Sequence, residues 1–188
     1  MSKINLKENA TKITDTLGQT LGIINRNAQP KLVMVGLNVG LGQNRTNKEM
    51  VTYIINSLGK ITGQKPVITR AKKAIAGFKI RAGDEVGVRV TLRGLKMYDF
   101  IDRLINVSLP RIREFKGINP SSFDSSGNLT IGFKDQIAFV ELGHEGLDRP
   151  FGVEITLRVK NSNPSHSTEL FKQLGFPMKF VSPAKELL

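Results

Sequence analysis

The chain has 188 residues, 39% of them apolar, with 28 Lys and Arg against 16 Asp and Glu, a formal net charge of +12 and an isoelectric point near 10.1. That length suits one compact domain or two tightly fused halves, and no stretch approaches the roughly 20 apolar residues of a membrane helix. The absence of cysteine excludes disulfides, thiolate metal sites and cysteine nucleophiles, while a basic excess of this size points to a polyanionic partner.

Residues 1–25 read as an N-terminal helix or arm, with Ile4, Leu6, Ile13, Leu17 and Leu21 imperfectly spaced and Gly18 and Gly22 weakening its end. Met1 to Glu8 lacks the apolar core of a secretion signal, so the chain is expected to stay in the compartment where it is made. After Pro30 comes a strand over Leu32–Val39, then a glycine turn, Gly40-Leu41-Gly42. Thr46-x-x-Glu49 has the form of a capping box, and the helix it opens carries Val51, Ile54, Ile55, Leu58 and Ile61 on one face until Gly63. Pro66–Thr69 reads as a short strand, and Arg70–Asp84 as a cation-rich loop with turns at Gly77 and Gly83. Val86–Arg93 alternates strictly: Val86, Val88, Val90 and Leu92 form one face, Gly87, Arg89, Thr91 and Arg93 the other, a half-buried strand with a basic outer side.

A helix over about Lys96–Val107 follows, with Met97, Phe100, Ile101, Leu104 and Ile105 as its buried stripe and Pro110 closing it. Two short strands are expected at Leu129–Phe133 and Ile137–Val140, and an alternating one at Val153–Val159. A last helix over about Ser167–Leu174 is stopped by Gly175 and Pro177, and residues 181–188 read as a tail. Gly87–Arg93 parallels Gly152–Arg158, and each is followed by a helix; duplication and convergence of amphipathic strands both produce such a pattern. The mixed order gives an α+β fold over residues 26–180, a mostly antiparallel sheet with helices packed on one face; the opposite face is basic and is the one expected to meet the polyanionic partner.

Chemistry concentrates in residues 65–81, where Lys65, Arg70, Lys72, Lys73, Lys79 and Arg81 stand without an acid among them. Phosphates along a nucleic acid need several held cations, and Phe78 inside the run offers a ring that can stack on a base or instead fill the core. Arg89, Arg93, Lys96, Arg103, Arg111, Arg113 and Lys116 extend the run, so that residues 65–116 hold 13 cations and 5 acids. The charge lies on folded structure and not on one amphipathic helix or a tail, which disfavours a membrane surface. No zinc finger, basic zipper or helix-turn-helix spacing is present, and a sheet face of Thr, Asn and Arg suits folded RNA.

Other constellations are poor. Gly36, Gly40 and Gly42 lie between a strand and a helix, but neither the Gly-x-Gly-x-x-Gly order nor the Gly-Lys-Ser/Thr ending is met, so a tight turn outweighs a nucleotide site. His144 and His166 flank a strand without paired spacing, and Asp124 and Asp135 lack the rest of a metal shell. Asp84, Glu85, Asp99, Asp102 and Glu114 lie among cations as solvated ion pairs. No nucleophile is oriented by a motif. The chain reads as an RNA-binding protein, not an enzyme, with no metal and no cofactor.

Several blocks in order carry a resemblance: Ile61-Thr-Gly-Gln-Lys-Pro66, Thr69 through Lys79, Val90-Thr-Leu-Arg-Gly94, Leu109 through Gly117, Ser122-Phe-Asp124, Gly127-Asn128 and Leu174-Gly-Phe-Pro177. Over about residues 30–180 the chain resembles the bacterial-type large-subunit ribosomal protein L5 family, whose members hold 5S ribosomal RNA. The resemblance implies a structural constituent of the large subunit that docks 5S RNA onto the large-subunit ribosomal RNA. By position it implies that Asn38, Gln64, Phe78 and Thr91 contact ribosomal RNA, beside Arg89 and Arg93 of the basic face. It also implies that the loop with Arg70, Lys72, Lys73 and Lys79 reaches the transfer RNA of the peptidyl site. Further implied partners are other large-subunit proteins and a small-subunit head protein at an intersubunit bridge, in a cytoplasmic or organellar ribosome and away from any membrane. Ser125-Ser126 stands where the family has glycine and a cation, and Phe139-Val-Glu-Leu142 replaces Phe-Pro-Glu-Ile. The rivals are a general RNA chaperone or assembly factor with the same basic face, and a nucleotide-binding enzyme using the Gly36–Gly42 turn.

Overall fold

A computed structural model describes residues 13, 16–112, 115–146 and 149–179, without the side chains of residues 43 and 144–146. Most of the expected N-terminal arm, Arg113, Glu114 and the 181–188 tail lie outside the described residues. Residues 16–21 are helical and bring Leu17 into the core.

Strands β1 (Lys31–Gly40), β2 (Val67–Arg70), β3 (Glu85–Leu92), β4 (Leu129–Phe133) and β5 (Val153–Lys160) form one sheet in the order β2-β3-β1-β5-β4, and every neighbouring pair is antiparallel. The alternation read in the sequence sets its two faces. Leu32, Val35, Leu37 and Val39 of β1, Val88, Val90 and Leu92 of β3, and Val153, Ile155, Leu157 and Val159 of β5 are all buried. Their neighbours Asn38, Arg89, Glu154, Arg158 and Lys160 are exposed on the other side.

Among the described residues, three longer helices join the 16–21 segment on the buried side. Helix α1 (Lys48–Thr62) buries Met50, Val51, Ile54, Leu58 and Ile61 and ends at Gly63, whose φ of 62° is a left-handed stop. Its cap is Asn47, not Thr46: the Asn47 side chain accepts the Met50 amide at 3.1 Å, while Thr46 closes a 3₁₀ turn, Gly42–Thr46. Helix α2 (Gly94–Arg103) begins two residues before the expected start and buries Met97, Phe100 and Ile101. Pro110 does not close it. The chain continues through a π-helical turn, Leu104–Ser108, into a 3₁₀ turn, Leu109–Arg111, which tolerates proline because an N–H in a first turn has no partner to lose. Helix α3 (Pro164–Gln173) starts on the Asn163 side chain, which accepts the His166 amide at 2.8 Å, and buries Leu170 and Phe171.

The strand expected at Ile137–Val140 does not form. Short 3₁₀ segments stand there, Gln136–Ala138 and a stretch over Val140–Gly146 that is broken at Gly143. Asp135 accepts the Ile137 amide at 3.2 Å, and the wholly buried Gln136 side chain accepts from Phe151 N at 2.8 Å and donates to Arg149 O at 3.2 Å. The backbone of 149–151 is thus satisfied by a side chain where a strand partner would otherwise be needed.

Asp124 organises the turn before β4. Its carboxylate accepts the amides of Ser126 (2.9 Å) and Asn128 (2.7 Å) and the Asn128 side-chain amide (2.7 Å). The Asn128 hydrogen bonds, with a smaller contribution from the Arg158 charge, hold its pKa below the ordinary aspartate value. A lowered folded pKa means stability that is complete above the unfolded value and lost as pH falls through the folded one. Asp124→Asn should therefore cost about 1 kcal/mol or less at pH 7, screened as it is by solvent, and the gap to the parent should shrink towards pH 3. Urea unfolding at both pH values checks this; a gap that persists at pH 3 contradicts it.

Candidate nucleic-acid interface

The open face of the sheet is built in rows across β3, β1 and β5. Arg89 pairs with Asn38 and Asn38 with Glu154; Thr91 pairs with Gly36 and Gly36 with Thr156. On the β2 side, Val67 pairs with Arg89 and is 65% exposed, so the face is apolar as well as basic at that edge. Gly87 lies beneath this corner: a Cβ there would meet Thr69 Oγ1 at 2.9 Å and Val39 O at 3.0 Å, with Asn38 Oδ1 at 3.8 Å. The missing side chain is what lets the Thr69 hydroxyl and the Asn38 amide crowd one spot.

Gln64 reaches β3 from the connection after α1. Its Nε2 donates to the Thr91 carbonyl at 3.1 Å, and its backbone N–H donates to Thr62 Oγ1 at 3.3 Å. The side chain is thereby tied to the β3 backbone at Thr91. Asn38 on β1 and Thr91 on β3 thus stand one row apart on this face, with Gln64 tied to the Thr91 backbone, Arg89 beside Asn38 and Arg93 just past the end of β3. Thr91 stands on the side that the alternation predicts.

Phe78 is not in the core; it is 72% exposed at the tip of the β2–β3 loop. The loop is nevertheless held. Ala71 N donates to Asp84 O (2.8 Å) and Gly83 N to Ala71 O (2.9 Å), while Ile75 and Ile80 exchange both backbone bonds (2.8 and 3.1 Å). At the tip, the Arg45 guanidinium donates to the Phe78 carbonyl at 3.2 Å and to the Lys79 carbonyl. Lys79 takes a left-handed φ of 51°. Nothing in the sequence pattern singles out Arg45, since its partners lie 33 and 34 residues on and only its place in a 3₁₀ turn next to α1 sets it apart.

Lys72, Lys73, Lys79 and Arg81 are exposed around the loop. Arg70 pairs with Glu85 at 3.6 Å across exposed surface, a contact that leaves the guanidinium able to exchange partners. Not every cation of 65–116 belongs to this surface. Arg103 is engaged by Glu141 (2.7 Å) and the Ile61 carbonyl (3.2 Å), and Lys96 by the Gly63 carbonyl (3.3 Å), so both serve the C-terminal end of α1, where the helix dipole favours cations. Asp124 and Asp135, the two carboxylates considered as metal ligands, are engaged in turns.

Residues 25–81 match the family model described as Ribosomal protein L5, and residues 85–178 match the model for the C-terminus of the ribosomal L5 family. The chain is similar to proteins named large ribosomal subunit protein uL5. It is 46% identical to that of Prochlorococcus marinus (strain MIT 9515) over 165 residues, 88% of this chain and 93% of the relative. The protein of Heliobacterium modesticaldum (strain ATCC 51547 / Ice1) is 43% identical over 169 residues, 90% and 94% of the two chains. That of Trichodesmium erythraeum (strain IMS101) is 49% identical over 150 residues, 80% and 83%.

Proposed function

The chain belongs to the ribosomal protein L5 family, and from that premise we propose that it binds 5S ribosomal RNA on the open face of its sheet and docks it onto the large-subunit ribosomal RNA. It is a structural protein of the large ribosomal subunit and not an enzyme. The observation that carries the finer reading is that Asn38 and Thr91 share one open sheet face, with Gln64 bonded to the Thr91 carbonyl and Phe78 exposed on a braced loop. Polar groups fixed by strand pairing read base or sugar edges, cations neutralise phosphate, and an exposed ring stacks. Thr91→Ala removes one hydroxyl from that surface and leaves the core untouched. It should weaken 5S binding about 5- to 10-fold, equivalent to one hydrogen bond of about 1 kcal/mol, with an unchanged melting curve. Equal affinity in a filter-binding titration would remove Thr91 from the interface.

We further propose that the loop of Arg70, Lys72, Lys73 and Lys79 faces the transfer RNA of the peptidyl site, and that the opposite end of the molecule meets the small-subunit head. The exposure of these lysines supports the first assignment, because they are available to phosphates that the sheet face does not use. Replacing Arg70, Lys72 and Lys73 together by alanine should leave the fold and 5S binding intact while weakening transfer RNA binding to reconstituted ribosomes. Unaltered transfer RNA affinity on those particles would break the loop assignment.

A further inference from the structure

The far end of the open face carries a second cation cluster that the surface of Asn38, Gln64 and Thr91 does not account for. Its origin lies in the two parallel segments. Gly87–Arg93 and Gly152–Arg158 flank β1 on opposite sides, and equivalent residues meet the same β1 partner. Leu92 and Leu157 both pair with Val35, Thr91 and Thr156 with Gly36, and Arg89 and Glu154 with Asn38. The last members of the two segments are Arg93 and Arg158. Arg158 pairs with Met34, and Arg93 Nη2 lies 3.9 Å from Met34 Sδ, so two arginines flank one methionine. One step further, past an irregularity in the β1–β5 register, Lys31 stands directly opposite Lys160. All four cations are exposed.

Like charges placed opposite one another across strands are destabilising, and the fold does little to relieve it. Among the described residues no salt bridge takes up any of the four. The acid whose field Arg158 does reach, Asp124, is already engaged by Ser126 and Asn128. Arg93, Arg158 and Lys160 instead line a shallow hollow of about 440 Å³, with Ser126, Asn161 and Ser162 adding neutral polar groups and no carboxylate in its wall. Asn161 and Ser162 are held by Asn27, Asn163 and Ser167 and frame the basin, so the guanidinium forks and the Lys160 ammonium are the groups that suit a phosphodiester's oxygens. The Arg93–Met34–Arg158 row lies two residues, about 6.7 Å, beyond the Thr91–Gly36–Thr156 row, on the same face.

We propose that this end of the sheet is a second RNA-backbone clamp, in which Arg93, Arg158, Lys160 and Lys31 hold a phosphate of the strand that crosses the Asn38–Thr91 surface. The inference rests on the RNA-binding reading of that surface. The clamp adds affinity and salt dependence but no choice of sequence, since phosphate contacts carry no base information.

The test is an Arg158→Ala/Lys160→Ala double variant of the full chain, titrated with 5S ribosomal RNA and with an unrelated structured RNA of equal length across a salt series. The plot of log affinity against log salt should flatten by about 0.7–0.9 for each phosphate that is no longer neutralised. Low-salt affinity should fall by the same factor for both RNAs, and the charge-conserving Arg158→Lys/Lys160→Arg variant should keep the parent slope. An unchanged slope in the alanine variant overturns the clamp while leaving any 5S preference of the parent intact. A flattened slope in a parent that shows no 5S preference upholds the clamp and removes the 5S reading instead. Loss of binding to polyglutamate with RNA binding unchanged would give the patch to an acidic protein and also overturn the proposal.

Discussion

Phe78→Ala is expected to weaken 5S RNA binding by about 1–3 kcal/mol, roughly 5- to 150-fold, the contribution of one base stacked on an aromatic ring. The fold should not notice. The ring is 72% exposed and stands on a loop braced by backbone bonds at Ala71, Gly83, Ile75 and Ile80, so its removal opens no cavity. Arg45 belongs to the same device: it grips the carbonyls of Phe78 and Lys79 and so reduces the ordering entropy that the loop would otherwise lose on binding. Arg45→Ala should cost affinity through Phe78. In a double-mutant cycle the two changes together should cost clearly less than their sum, because once the ring is gone its positioning no longer matters. Full affinity of Phe78→Ala in an electrophoretic or filter-binding titration would place the ring outside the interface, and strict additivity would detach Arg45 from it.

Leu37→Ala is expected to lower the unfolding free energy by about 3–5 kcal/mol, the upper part of the range for a buried leucine. Leu37 is wholly buried in the central strand and is paired with Val90 on one side and Ile155 on the other. Both neighbours are tied by strand hydrogen bonds, which restricts collapse around the missing methyls. Such a loss is a large fraction of the roughly 5–15 kcal/mol that holds a typical domain together. The next residue, Asn38, faces the opposite side, so the molecules that remain folded should still bind RNA with near-parent affinity. Urea unfolding by circular dichroism checks the first statement. A drop below about 1 kcal/mol would contradict the packing described for the sheet centre.

The sheet was legible wherever one face alternates with the other. β1, β3 and β5 follow from their runs of buried Val, Leu and Ile against Asn, Arg and Thr, and the outward side of Thr91 followed with them. Element ends were less legible where two residues compete for one role. Thr46 and Asn47 are both good caps, and only the fold decides that Asn47 receives the Met50 amide. Ile137–Val140 has strand-like composition, yet the side chains of Asp135 and Gln136 supply the hydrogen bonds that a strand partner would have supplied. Pro110 looked like a stop, but the π-helical turn before it brings the chain to Pro110 at a position that needs no N–H.

The proposed interface divides in the same way. Arg89, Arg93 and the loop cations stand out as charge, Phe78 as a ring inside the basic run, and Asn38, Gln64 and Thr91 through the resemblance. What a one-dimensional reading lacked was long-range geometry: the Gln64–Thr91 bond spans 27 residues and the Arg45–Phe78 bond 33. The same gap hid which cations are committed elsewhere. Lys96 and Arg103 counted toward the basic run, but they serve the end of α1.

The most direct measurement of the central claim is binding of the parent chain to 5S ribosomal RNA and to an unrelated structured RNA of equal length, from low to moderate salt. Tight binding to the 5S RNA is predicted, with a preference that grows as salt screens the shared phosphate contacts and with a slope near −4 to −5 for about 6 neutralised phosphates. Equal binding of both RNAs at every salt concentration would contradict recognition of 5S RNA by Asn38, Gln64 and Thr91 and leave a general RNA binder of the chaperone type.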